Sequence, residues 1–558
     1  MRLLPLLPLC IGAAVISGCS TQSHQESVTS SIKLSFLGRY ESGIFDGSAA
    51  EIVDYSPSAE AAFVVNAKSG KIDVISISKP SNPTKVSSID VGEDITTATG
   101  IPMGAANSVS IHKNIMAVAV EAKNKQSNGY IAFYNVANHS FITALEAGAL
   151  PDMVTFSPNG EYALVANEGE PNDAYTIDPE GSISIISIPN NIADLTQSDV
   201  TQVNFQAFDK SGSRAHELPS DLRIFGLNAS VAQDLEPEYI SVSEDSRYAY
   251  VSLQENNGIA KVDISKKSIS AIWSLGEKDY NQVGNELDIS DKDKTLQLNN
   301  WPVIGLYQPD SIASYTVSGT TYIVTANEGD SRDYDGYSEE FRVKDISSEL
   351  NSTIALTSPI KHKIEGSLED SKNLGRMKFT STLGAENCDL IKGKPNNCTY
   401  TKLYGFGARS FSIWNGEDGT QVFDSGSDFE RITMEALGEQ GFNASNDANK
   451  TDNRSDDKGP EPEALTLGKI DGRTYAFIGL ERVGGIMVYD ITNPTQGKFV
   501  QYITSRNFDA DAETSAAGDL GPEGMAFVTA DQSPTGQALL IVGNEVSGTT
   551  SVYQVTTH

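Results

Sequence analysis

One unit recurs along most of the chain and limits the fold more than any other feature. It opens on an acidic or polar position, often beside proline. An apolar run, a short turn and a second apolar run follow, the last ending in Asn or an acid. A third run, usually after glycine, alternates apolar and polar residues. The clearest copy reads Pro151-Asp152, apolar 153–157, turn Pro158-Asn159-Gly160, apolar 162–166, Asn167-Glu168, then 182–188. Another begins at Glu236-Pro237-Glu238 and ends its second run at Gln254-Glu255-Asn256. The pattern returns at Pro309-Asp310 with Asn327-Glu328, at Glu461-Pro462-Glu463 with Glu481, and at Pro522-Glu523 with Asn544-Glu545. Weaker copies pair Glu51 with Asn66 and Asn107 with Glu121, which makes seven. Short alternating runs bounded by turn residues are a strand signature. Several such strands per repeat at this period describe a β-propeller.

The sequence therefore predicts an all-β, seven-bladed β-propeller; six or eight blades are the alternatives. The blades fall at about 44–95, 96–150, 151–212, 235–278, 307–427, 460–507 and 520–558. Fourth strands are expected at 85–91, 141–146, 203–208, 269–275, 421–424 and 499–504. The last copy contains only three runs, and the alternating segment 31–43 can supply its fourth strand, removing an open edge.

In a blade the start of strand one and the end of strand two share a face. The acidic positions of all the repeats therefore converge on one mouth of the channel. The turns between strands one and two are short and belong to the opposite face. The long connections 211–235, 276–307, 330–402 and 427–459 leave on the acidic face, where loops on a rigid scaffold carry function. Connections of this length are often mobile.

Crowding Glu168, Glu238, Asp310, Glu328, Asp330, Glu463, Glu481, Glu523 and Glu545 around one opening is costly unless cations, arginines or raised pKa values compensate. Oxygen ligands of this kind suit Ca²⁺ or another hard divalent cation. Capping of blade ends by the same acids is the competing reading. Arg332, Arg409 and Arg482 stand beside these acids in sequence and are the candidates to clamp a phosphoryl oxygen. A salt bridge to a ring acid is the alternative for each. The acidic stretch 447–457 lacks the spacing of an EF-hand loop and reads as a solvated loop.

Residues 1–18 carry Arg2, a short apolar run and small residues before Cys19, the pattern of a secretory signal. Small residues before Cys resemble a bacterial lipobox, which implies a lipid on Cys19 and a polar tether over 19–30. Ser20 beside it favours the outer membrane of the cell envelope. An ordinary signal peptide or a membrane anchor is the alternative, although the run is short for a span. Besides Cys10 within the leader and Cys19, the chain has Cys388 and Cys398, and an oxidising compartment favours a small disulfide loop. A net charge of −33 repels nucleic acid and anionic membranes, so contact with a membrane is expected only through the anchor. The sequence contains no H-E-x-x-H and no G-x-S-x-G, and its six His are scattered.

The segments Leu164-Val-Ala-Asn-Glu-Gly-Glu170, Thr325-Ala-Asn-Glu-Gly-Asp-Ser-Arg-Asp-Tyr334, Gly407-Ala-Arg-Ser-Phe-Ser412, Gly459-Pro-Glu-Pro-Glu-Ala-Leu465 and Gly521-Pro-Glu-Gly524 resemble the choice-of-anchor I family. That group is similar to atypical, calcium-associated alkaline phosphatases and to mesenchyme-specific cell-surface glycoproteins. The resemblance implies a surface propeller and, with it, metal-dependent hydrolysis of a small phosphorylated substrate. A propeller that binds calcium, mineral or a partner without catalysis is the alternative.

Overall fold

A computed structural model describes residues 31–391 and 394–558. The predicted leader, Cys19 and the tether lie outside these residues. Strands dominate because the repeats supply β-branched and aromatic residues in alternation, cut by turn residues. Among the described residues, seven antiparallel sheets have four strands each, and in six of them the strands follow chain order. The third sheet is typical, built from Pro151–Phe156, Tyr162–Asn167, Ser182–Ser187 and Val200–Asn204. Its last strand lies earlier than the sequence suggests, because Gln206–Phe208 turns into a 3₁₀ helix instead of extending the sheet.

The first strand of each sheet lies against the first strand of the next, and that of the seventh sheet returns to the first. This circular arrangement is a β-propeller. The seventh sheet takes its outer strand from Ile32–Glu41, which pairs antiparallel with Thr549–Thr557 from Ile32 opposite Thr557 to Glu41 opposite Thr549. Ile32 and Leu34 pack between sheets against Tyr475, Phe477 and Leu540. Gln501 of the sixth sheet accepts from the Leu34 N–H at 2.9 Å and donates to its C=O at 3.1 Å.

The fifth sheet is interrupted between Thr320–Asn327 and Ser410–Asn415. The intervening chain makes short hairpins and shares a separate core with the 276–307 connection. Tyr280, Trp301, Val343, Leu374, Phe379 and Tyr400 meet there. These two long connections are thus packed together over the acidic face rather than left as independent loops. Cys388 and Cys398 are joined by a disulfide in this region. None of the described helices is long and apolar enough to cross a membrane.

Candidate metal centre

Each Asn-Glu pair at the end of a second strand divides its work. The Asn turns inward, while Glu168 and Glu328 join groups of converging carboxylates. Asn167 is fully buried; its Nδ2 donates to Ser184 Oγ at 2.9 Å, and its Oδ1 accepts from Gly148 N–H at 2.9 Å. Asn327 donates to Ser412 Oγ at 2.9 Å, and Asn544 donates to Ser551 Oγ at 3.3 Å. Truncating such a residue strands several buried partners. Asn167→Ala is expected to cost about 1–3 kcal/mol of stability, read from the urea midpoint. An unchanged midpoint would remove the bridging role.

The inner ring is made by acids that follow proline. Asp152, Glu463 and Glu523 sit where the strand register skips, after Pro151, Pro462 and Pro522. A bulge of this kind re-aims a side chain out of the regular pleat. Asp152, Glu238, Asp310 and Glu523 line a cavity of about 270 Å³ with Glu51, Glu121 and Lys125. A second cavity of about 710 Å³ opens on the opposite face beside Asp54, Tyr55 and His112. Ile52, Ser108, Met153 and Tyr239 border both, so the two cavities adjoin at the ring.

Three groups of carboxylates each bring one oxygen per residue within 4.8 Å of the others: Glu168/Glu236/Glu255, Asp310/Glu328/Glu463 and Glu328/Glu461/Glu481. The third group carries its own counter-charge. Lys458 Nζ lies 2.5 Å from Glu328 and 3.3 Å from Glu461, Arg454 lies 2.6 Å from Glu461, and Arg482 bridges Glu461 and Glu481 at 3.0 and 3.1 Å. Burial alone would raise Glu461, but these three cations outweigh it and hold the carboxyl well below its usual range. The second group is less well served. Lys458 and Gln254 reach Glu328, whereas buried Glu463 leaves Oε2 without a hydrogen-bond partner.

Burial, then neighbouring carboxylates, pushes Glu168, Glu238, Asp310, Glu463 and Glu523 well above the ordinary carboxylate range. Burial also raises Asp330 to about 6 against the pull of Lys458, and Glu481 to about 8 against Arg482. Glu545 is raised by burial too; Ser48 donates to it at 3.4 Å.

The three arginines take different places. Arg332, 1 % exposed at the side chain, bonds Asp234 and Glu236 and lies over the Phe225 ring. Arg409 is buried and donates to Glu430 at 2.6 Å and to the carbonyls of Asp288, Ser455 and Asp457, which pins the 427–459 connection. Arg482 borders a pocket of about 300 Å³ with Arg454, Lys458, Lys378, Asp330 and Asp457. The 447–457 stretch is not a solvated acidic loop. Asp456 pairs with Arg342 and Arg376, and Asp457 with Arg454 and Lys378. Glu236, Glu255 and Glu461 join the carboxylate groups although the ring prediction omits them. The Glu-Pro-Glu spelling at 236–238 and 461–463 was the available signal.

A propeller whose channel mouth is lined by half-buried carboxylates, with further buried ones beside it, is the class that this fold and site define. Residues 51–494 match the model of the choice-of-anchor I domain, and the chain belongs to that family. It is similar to Gigasin-3a of Magallana gigas, 29 % identical over 198 residues, covering 33 % of this chain and 68 % of that protein. It is also similar to the Mesenchyme-specific cell surface glycoprotein of Strongylocentrotus purpuratus, 27 % identical over 248 residues. That match covers 39 % of this chain and spans 30 % of the relative's length. Among solved structures, a chain of Kuenenia stuttgartiensis Hydrazine Synthase aligns with a TM-score of 0.43 at 11 % identity, over 92 % of this chain and 99 % of that one. The Cps50 (Swd1) β-propeller domain of Myceliophteria thermophila aligns with a TM-score of 0.40 at 7 % identity, over 94 % and 100 %.

Proposed function

We propose that this chain is an exported surface protein of the cell envelope, a seven-bladed propeller closed by its N-terminal strand, which holds a hard divalent cation at the channel mouth. Ca²⁺ is the cation that the oxygen-only donor set suits best. Asp310, Glu328 and Glu463 hold it, with Asp152, Glu238 and Glu523 facing the same opening. The observation that carries this reading is the unpartnered, buried Oε2 of Glu463 within a group of three carboxylates. An uncompensated buried charge costs several kcal/mol, and a cation removes that cost. Family membership and the name of the sea-urchin relative support a surface location. In this reading Cys19 carries the lipid that fastens the propeller to the outer membrane.

A second reading is phosphomonoester hydrolysis, and the pocket beside Asp330 favours it. Arg482, Arg454 and Lys458 stand there next to the mouth carboxylates. A cation at the mouth would polarise a phosphoryl group, and Arg482 would stabilise the developing charge. Arg332 and Arg409 would act by positioning, since their guanidinium groups are taken up by buried acids and carbonyls.

Calorimetric titration of chelator-treated protein with Ca²⁺ tests the first reading. Glu463→Gln is expected to weaken binding at the mouth at least about tenfold while leaving the fold unchanged by circular dichroism. Binding unaltered in this variant would remove the mouth site. A phosphomonoester assay with and without Ca²⁺ decides the second reading. Cation binding without turnover would leave the non-enzymatic reading alone.

A further inference from the structure

The Glu168/Glu236/Glu255 group shares no residue with the channel-mouth triad. Glu168 follows the second strand of the third sheet. Glu236 precedes the first strand of the fourth sheet, and Glu255 follows its second strand. The group therefore straddles two neighbouring sheets.

Its charge is not balanced by the protein. Arg332 is the cation bonded to its carboxylates, and its guanidinium serves Asp234 and Glu236; Arg223 donates to the Glu255 carbonyl at 2.6 Å, but its charge is taken up by Glu339. Asp234 has further donors in the N–H groups of Phe225 and Gly226, at 2.8 and 2.6 Å. Glu255 has none for Oε2; the residue is 6 % exposed and that oxygen is without a hydrogen-bond partner. Glu236 Oε1 lies 3.0 Å from Arg332 Nη2 but outside hydrogen-bonding alignment. Four buried or nearly buried carboxylates thus face one guanidinium, and the open oxygens belong to residues whose carboxylates converge.

The same place is the root of the 330–402 segment. Arg332 bonds the fourth sheet's approach, Tyr334 Oη donates to Glu170 at 3.0 Å, and Gly336 N–H donates to Asp173 C=O at 2.8 Å. Tyr337 Oη donates to Phe225 C=O at 3.0 Å. Tyr175 packs against both Tyr334 and Tyr337.

We infer that Glu168, Glu236 and Glu255 form a second site for a hard divalent cation, which fastens the root of the 330–402 segment to the third and fourth sheets. The inference rests on the reading of the chain as a cation-binding propeller, but on different residues. Three carboxylate oxygens with no sulfur or imidazole nearby suit Ca²⁺, which accepts more oxygen ligands than Mg²⁺ and tolerates irregular geometry. Bound there, the ion replaces the missing counter-charge of Glu255 and holds Arg332 and its hairpin in place.

The test uses the full chain, freed of metal by chelation, in three forms: unaltered, Glu255→Gln and Glu463→Gln. ⁴⁵Ca²⁺ binding by equilibrium dialysis is combined with limited proteolysis across 330–402. The unaltered chain is expected to take up about two equivalents and to gain protection within 330–342. Glu255→Gln is expected to lose one equivalent, or to weaken it at least about tenfold, and to lose the protection. Glu463→Gln is expected to lose the other equivalent and keep the protection. If Glu255→Gln binds and is protected like the unaltered chain, the second site is wrong and the mouth reading stands. If the unaltered chain binds no Ca²⁺, both fall. Should Glu255→Gln fail to fold, Glu168→Gln carries the same comparison.

Discussion

Replacing Arg332 by methionine is expected to lower the free energy of unfolding by about 3–5 kcal/mol. The side chain is nearly inaccessible and bonds Asp234 and Glu236, with Nη2 also donating to the Asp234 carbonyl at 2.8 Å. Methionine fills much of the volume beside Phe225 but leaves two buried carboxylates facing Glu255 without a cation. Adding Glu236→Gln to the same chain should restore part of the loss, because it removes one of the stranded charges. Urea unfolding of the single and double variants measures both. A loss below about 1 kcal/mol, the level of an exposed ion pair, would contradict the role of Arg332 as the counter-charge of these buried acids.

The stability of the metal-free chain should fall as pH rises from about 4 to about 8. Burial raises Asp152 and Glu255 to about 7, and Glu51 and Glu481 to about 8, from ordinary values of 3.8 for Asp and 4.5 for Glu. These groups hold protons in the folded chain at pH values where the unfolded chain has released them. Their favourable contribution is complete below the unfolded pKa values and is lost as pH climbs through the folded ones. Each unit of displacement corresponds to about 1.4 kcal/mol. Glu461 has the opposite sign, but its effect is confined to acid solution, since its folded value lies below the ordinary one. With chelator present, the Tm at pH 5.5 should exceed that at pH 8.5. Saturating Ca²⁺ should raise the Tm at pH 8.5 and narrow the gap, because ionised carboxylates bind the cation. A Tm that rises with pH in chelator would contradict the uncompensated mouth.

The repeat made the sheets readable in advance, because strand one, its proline-acid start and the Asn-acid end of strand two recur in a fixed order. Of the acids the same spelling singled out, Glu238, Asp310 and Glu523 line one cavity, together with Asp152, which the ring prediction omitted. The spelling did not separate neighbours that differ by two residues. Glu236 and Glu238 flank one proline, yet Glu236 joins the Arg332 group while Glu238 lines the channel. That division depends on backbone direction on either side of Pro237, which periodicity does not encode. Nor do charges announce their partners. Arg409 lies in a conspicuous Gly-Ala-Arg motif, but its role is set by carbonyls at 288, 455 and 457. Lys458 and Arg454 neutralise the third carboxylate group from a connection outside the repeat pattern, so nothing in the repeat pointed to them. The 276–307 and 330–402 connections share a core whose apolar residues are spread over both, and no local window shows that they belong together.

The pairing of Ile32–Glu41 with Thr549–Thr557 has a kinetic consequence. Leu34 finds Gln501 across 467 positions of sequence, and its own ladder partner, Val555, lies further along still. The earlier-made segment must wait, unpaired, for a partner that lies hundreds of positions further along the chain. Contacts this distant slow folding, and until they form, the third strand of the seventh sheet presents a free edge. Folding without a holding chaperone therefore exposes this protein to edge-to-edge association during one defined interval, and that interval closes only when the two remote strands meet.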